Sequence, residues 1–167
     1  MQHRLSGQLQ INGSSVSFNG GKGYIEKDWG TSMPSDWIWM QSNHFKRDDT
    51  ASFMLSVARI PWMKGYFPGF LSFLSAGGKL YRFATYNRSV VRSLEMEDEY
   101  VQIILQNRVH SLKARIMRLE GGVLKAPRHG NMDREIKESI VSTLNLELKD
   151  DGGKVVYRDT GQFAGLE

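Results

Sequence analysis

Cysteine is absent from this 167-residue chain. That absence excludes disulfides and thiolate metal sites, and it fits a reducing compartment, so a cytoplasmic setting is expected. Histidine is scarce. No two of His3, His44, His110 and His129 stand at metal-ligand spacing, so a metal site is not expected. No apolar run approaches the roughly 20 residues that a membrane span requires. The opening MQHRLSGQLQ lacks the apolar core of a signal peptide. No sign of charge dominates: 22 Lys and Arg face 18 Asp and Glu, scattered without a basic block, so nucleic acid is not an expected partner. Neither a Gly-x-Ser-x-Gly nucleophile motif nor a phosphate loop is present. Gly20-Gly21-Lys22-Gly23 precedes a strand rather than a helix and reads as a turn.

What the chain does have is a period of two, the mark of strands whose alternate side chains face core and solvent. RLSGQLQI and SSVSF flank the turn dipeptide Asn12-Gly13, so residues 4–18 read as a hairpin. WIWMQSNHF, ASFMLSVARI, KLYRFATY, VVRSLEME, YVQIILQNR and HSLKARIMRL follow as strands with short polar turns. SIVSTLNLELKD and GKVVYRD pair around Asp151-Gly152-Gly153. The series predicts one all-β domain over residues 1–167, an antiparallel up-and-down meander of about 8–10 strands. Such a meander closes into a β-barrel because open edges invite aggregation. Three stretches break the pattern. Residues 131–139 read as a helical turn or a loop. Residues 60–78, with two prolines, read as a long connection: a loop packed on the barrel end, or an apolar lip that touches a membrane through 61–74. Residues 121–130 read as an irregular connection.

The stretch GYIEKDWGTSMPSDWIWMQSNHF, residues 23–45, holds three of the four tryptophans. In an extended strand Tyr24, Glu26 and Asp28 share one side, and Ile25, Lys27 and Trp29 the other. Facing a dry interior, one carboxyl would have a raised pKa and stay protonated at neutral pH as a proton donor. Facing water, both are ordinary surface charges. Trp37, Trp39, Gln41, Asn43 and Phe45 share a face that is aromatic at one end and amide at the other. That face suits an amphipathic ligand; equally, the indoles fill a core and the amides satisfy backbone groups at a bulge. His44 lies on the opposite face and reads as a surface or hydrogen-bonded residue. His110 shares the apolar face of Leu112, Ala114 and Ile116 and reads as a core histidine bonded to a carbonyl. Among the strand arginines Arg59, Arg82, Arg92 and Arg118, at least one is expected to stack on a tryptophan at the barrel end.

Tyr24-x-Glu26-Lys27-x-Trp29-Gly30, then Pro34, then Trp37-x-Trp39-x-Gln41-x-Asn43-x-Phe45 closely resembles the signature of the tocopherol cyclase family. LKAP at 124–127, KES at 137–139, TLNLEL at 143–148 and the final AGLE follow in that family's order. Met33 departs from the pattern, which has an aromatic residue before the proline. The resemblance implies a lipocalin-like, calycin-type barrel, the second of two consecutive barrels. The chain is therefore expected to be the C-terminal half of a longer protein, with the N-terminal barrel of the same chain as its partner.

The resemblance also implies acid-promoted ring closure of a prenylated quinol without a cofactor. An acid protonates the prenyl double bond, the phenol oxygen attacks the tertiary cation, and a base removes the phenol proton. On that resemblance Glu26 or Asp28 is the acid. Trp29, Trp37 and Trp39 are wall candidates, and Tyr24, Gln41 and Asn43 are ligand-binding candidates. Three readings stay open: a cyclase, a carrier of a lipid or other apolar small molecule, and a structural barrel.

Overall fold

The computed structural model describes residues 1–31 and 33–167. Two short sheets open the chain. β1 (His3–Arg4) pairs with β4 (Lys22–Gly23), and β2 (Gln8–Ile11) with β3 (Ser14–Ser17). The second pair turns at Asn12 and Gly13, both at positive φ (50° and 80°), the backbone that an Asn-Gly hairpin turn requires. Everything else joins one antiparallel sheet. Its strands are β5 (Trp37–Ser42), β6 (His44–Phe45), β7 (Ser52–Trp62), β8 (Gly65–Ala76), β9 (Lys79–Ala84), β10 (Val90–Met96), β11 (Tyr100–Gln106), β12 (His110–Met117), β13 (Gly122–Arg128), β14 (Asn131–Asp150) and β15 (Val155–Leu166).

The hydrogen-bonded path runs β10-β11-β12-β14-β15-β5-β7-β8-β9. The last strand, β15, joins β5 through Gly165 opposite Gln41 and Leu166 opposite Met40. The path ends, β9 and β10, are neighbours in the chain, linked by the 3-10 turn Thr85–Asn87. The order therefore respects an up-and-down meander, but no ladder joins β9 to β10 among the described residues, and a closed barrel is not found. Side chains bridge that break: Tyr81 on β9 meets His110 on β12 edge to face at 5.1 Å. The Asn87 amide, before β10, donates to the Arg82 carbonyl on β9 (3.1 Å).

One face of this sheet makes the core. Met40, Phe53, Leu55, Leu74, Phe83, Ile103, Leu105, Leu112, Ile116, Leu144, Leu146 and Leu148 are fully buried in one cluster. Residues from both halves of the path meet in it, so the sheet curls around its own side chains. Burying each such side chain stabilises by about 1.5–3 kcal/mol.

The structure corrects four local expectations. Residues 131–139 are strand, not helix: β14 runs from Asn131 to Asp150. Residues 60–78 are not a loop. β7 and β8 continue past the sheet as a two-stranded arm, with Pro61 opposite Tyr66 and Arg59 opposite Pro68. β5 pairs with β7 no further than Ala58, and β9 with β8 no further than Leu71. Each arm strand thus has one free edge, where a proline interrupts no second ladder. Residues 121–130 likewise form a second arm, β13 against the first half of β14, with His129 (φ 50°) and Gly130 (φ 87°) in its turn. Finally, residues 24–29 form no strand; they cross the sheet as irregular backbone.

Candidate functional site

β5 alternates strictly: Ile38, Met40 and Ser42 are buried toward the core, whereas Trp37, Trp39 and Gln41 are half-buried on the opposite face. The tryptophan face is therefore the outer face of the curled sheet. The alternation breaks at Asn43, which is buried between β5 and β6, so Phe45 returns to the core rather than sharing the tryptophan face. A bulge of this kind inserts one residue and flips every side chain after it.

Residues 24–31 and 33–36 lie over this outer face and leave a cleft of about 830 Å³. Its floor is Trp37 and Trp39 of β5 with Ser56, Ala58 and Ile60 of β7. Its sides bring in Glu26, Asp28 and Trp29, together with Pro127, Glu138 and Glu167. The Trp39 indole Nε1 donates to Glu26 Oε2 at 3.0 Å. The Tyr24 hydroxyl donates to the same oxygen. Tyr24 also packs edge-on against Trp39, with ring centroids 6.1 Å apart. Asp28 hydrogen-bonds Glu26 through its own carboxyl. Burial first, and then the neighbouring Glu26, push the Asp28 carboxyl above its ordinary range. Burial, followed by the bond to Glu26, pushes the Tyr24 phenol up, so it stays a neutral donor at physiological pH.

Tyr24, Glu26, Asp28 and Trp39 thus form one hydrogen-bonded or stacked group, with Trp37 beside it. Trp29 lines the same cleft, but is 86% exposed at its mouth, with Lys27 Nζ 5.8 Å from its ring centroid. Gln41 and Asn43 do not line it. Each keeps one buried polar atom, Oε1 and Nδ2 respectively, without a partner among the described residues. His44 packs edge-on against Phe163 at 5.7 Å. His110 packs against Tyr81, with no imidazole bond to a carbonyl among the described residues. The arginine stacked on a tryptophan is Arg134, its guanidinium carbon 4.3 Å from the Trp37 ring centroid. Arg59 lies over Tyr66 and Arg82 over Phe73 instead.

The sequence reading missed Glu167 and Arg134. Glu167 exchanges backbone hydrogen bonds with Trp39, both 2.9 Å. The Trp37 indole hydrogen-bonds its carboxyl, while Oε1 is buried without a partner among the described residues. Burial pushes this carboxyl up as well. Arg134 donates to the carbonyls of Pro34 and Ser35 at 2.6 Å each, anchoring the covering segment to β14. A second cleft of about 650 Å³ begins on the far side of Trp37 and Glu167. It reaches the core-facing Ile38 and Val57 and the edge residues Leu94 and Met96. The sole sequence signal for Glu167 was the final AGLE motif; nothing local says that the last strand pairs with the tryptophan strand.

Gly165 explains how the indole is held. A Cβ there would lie 2.7 Å from Trp39 Cζ3. G165A is expected to push the ring aside, break its bond to Glu26 and cost about 1–3 kcal/mol. The check is a thermal melt together with the indole Nε1–H chemical shift. An unmoved Nε1–H resonance would mean that glycine is not what seats the ring.

The family model described as tocopherol cyclase-like matches residues 1–167. No solved structure matches the chain.

Proposed function

Because the chain belongs to the tocopherol cyclase-like family, we propose that the outer-face cleft binds a prenylated quinol or related isoprenoid and closes its ring by acid catalysis. One observation carries this reading: Asp28, whose carboxyl burial and the neighbouring Glu26 push above its ordinary range, stands at the edge of an indole-floored cleft. Asp28 gives its proton to the prenyl double bond. The tertiary cation is held against the faces of Trp37 and Trp39, each worth about 0.5–2 kcal/mol to a cation. The phenol oxygen attacks the cation, and Glu26 takes the phenol proton. The hydrogen bond between the two carboxyls returns it to Asp28, so no proton is consumed and the product is an isomer of the substrate.

On this reading the curled sheet is a lipocalin-like barrel sealed by side chains at the β9–β10 break, and it serves as the scaffold on whose outside the reaction occurs. The buried leucines that fill its interior support that division of labour. The absence of cysteine supports a cytoplasmic setting. The test is incubation with a geranylated hydroquinone, followed by chromatography for a chromanol of unchanged mass. No product, with no saturable binding of the quinol, would sink the reading.

A second reading, apolar-ligand carriage without chemistry, is favoured by the exposed arm. Trp62 and Tyr66 are 65% and 59% exposed at the β7–β8 tip, and no helix among the described residues is long and apolar enough to cross a membrane. Such a tip inserts into a lipid surface or docks on a preceding barrel of the same protein. W62A is expected to lower flotation with liposomes at least severalfold if the lipid is its partner. Equal flotation would assign the tip to protein contact.

A further inference from the structure

Another part of the sheet's outer face, across β12, β14 and β15, carries a concentration of positive charge that the proposed reaction does not use. It is a cleft of about 560 Å³, and it shares no lining residue with the Glu26 cleft. Its floor is built from two adjacent rungs across β12, β14 and β15. Lys113 stands opposite Glu147, which stands opposite Arg158; the next rung is Arg115, Asn145 and Thr160. These residues alternate with the buried Leu112, Ala114 and Ile116, so they point outward. Lys46 and Arg47, from the turn after β6, complete the rim.

Five basic side chains therefore face two carboxylates, and both carboxylates are already committed. Asp159 accepts backbone N–H groups from Arg47, Asp48 and Thr160. Glu147 is paired to Lys149 at 2.8 Å and to Arg158. Those bonds, Lys149's first, hold its carboxyl below the usual range. Among the described residues Lys46, Arg47, Lys113 and Arg115 form no ion pair within hydrogen-bonding reach of a carboxylate. Arg115 lies over Tyr100, its guanidinium carbon 3.8 Å from the ring centroid, with Nε buried and without a partner among the described residues. The Thr160 hydroxyl donates to Asn145 Oδ1 at 2.9 Å, which leaves the amide N–H groups to donate. Fixed, unpaired donors on a rigid sheet are what a phosphate requires, because little side-chain freedom remains to be lost on binding.

We propose that this cleft binds a phosphate-bearing group, with Arg115 as the fixed fork and Lys113, Lys46 and Arg47 as the surrounding charge. The phosphate belongs either to a soluble phosphorylated compound or to a lipid headgroup. Calorimetric titration with inorganic pyrophosphate at low salt tests the first source. Flotation with phosphatidylcholine vesicles, with and without phosphatidic acid, tests the second.

Wild-type protein is expected to bind at least one probe saturably. R115Q is expected to weaken that binding by about tenfold or more, and K113Q by about threefold. K154Q removes the same charge from the exposed β14–β15 turn and is expected to change it less than about twofold. K113Q serves as the decisive variant if a circular-dichroism melt shows that R115Q does not fold. Binding of pyrophosphate assigns the soluble source, and Arg115-dependent binding of phosphatidic acid vesicles alone assigns the headgroup. No saturable binding of either probe overturns the proposal. So does equal weakening by K113Q, R115Q and K154Q, which would be net charge rather than a site.

Discussion

D28N is expected to lower the turnover of a geranylated hydroquinone by about 10²–10⁴-fold, the usual contribution of a positioned general acid. An amide is close in size to the carboxyl and can still hydrogen-bond Glu26, but it has no proton to give to an alkene. Binding of the quinol, read by tryptophan fluorescence, is expected to stay within about threefold, because the walls Trp37 and Trp39 are untouched. The pH profile makes the prediction sharper. The acid must be protonated, so the rate falls as pH rises through the Asp28 pKa, which burial and Glu26 set above the ordinary aspartate value. That falling limb disappears in D28N.

Stability moves the opposite way. A carboxyl whose pKa is raised on folding holds a proton that the unfolded chain has released. Its contribution to stability is therefore complete below the unfolded value and declines as pH rises through the folded one. D28N relieves this decline and leaves the melting temperature at neutral pH unchanged or higher. Lost turnover with an unchanged melt identifies chemistry. Turnover within about threefold of wild type removes Asp28 as the acid.

D159A is expected to be the most destabilising of the changes considered, by about 3–5 kcal/mol. Asp159 is 5% exposed. Its Oδ2 accepts from the N–H groups of Arg47 and Asp48 at 3.0 Å each, and its Oδ1 from Thr160 N–H at 2.7 Å. The Tyr157 hydroxyl donates to it as well, at 3.3 Å. Alanine strands those donors where the chain turns out of β6, and each orphaned buried group costs about 1–3 kcal/mol. The turn also seats Asp48, which accepts from Thr50 and from Gly77 N–H, so two loops loosen together. Urea unfolding measures the loss. D159N keeps one acceptor oxygen and is expected to lose about half as much. A change under about 1 kcal/mol in D159A would show that water replaces the carboxylate.

The strands were legible where period two met a turn signal. Asn12-Gly13 and Asp151-Gly152-Gly153 turn the chain where the sequence indicates. The prolines misled, because Pro61 and Pro68 argue against a central strand but not against an arm whose strands have one neighbour each. The order of the strands was legible, whereas closure was not: ladder pairing between β9 and β10 depends on the curvature of the whole sheet. At the site, Tyr24 and Glu26 reach Trp39 by an irregular crossing, where the sequence pattern predicted a strand. Which face the tryptophans occupy was beyond local pattern. Trp37 and Trp39 alternate with Ile38 and Met40, and both sets are apolar enough to be the core. The decision lies in packing volume, where leucines from six other strands fill the inside. Glu167 was hidden for a further reason, since its neighbours Trp37 and Trp39 lie more than a hundred residues away in the chain.

The central claim is that ligand binds outside the curled sheet, on the Trp37–Trp39 face. The chain has four tryptophans, and three of them, Trp29, Trp37 and Trp39, line that cleft, while Trp62 stands apart on the β7–β8 arm. Fluorine NMR of protein labelled with 5-fluorotryptophan, each resonance assigned by a single Trp→Phe change, reads all four positions in one titration with a geranylated hydroquinone. Saturable shifts at Trp37 and Trp39, with Trp62 stationary, are the predicted result. Shifts confined to Trp62, or none at saturating quinol, would contradict it.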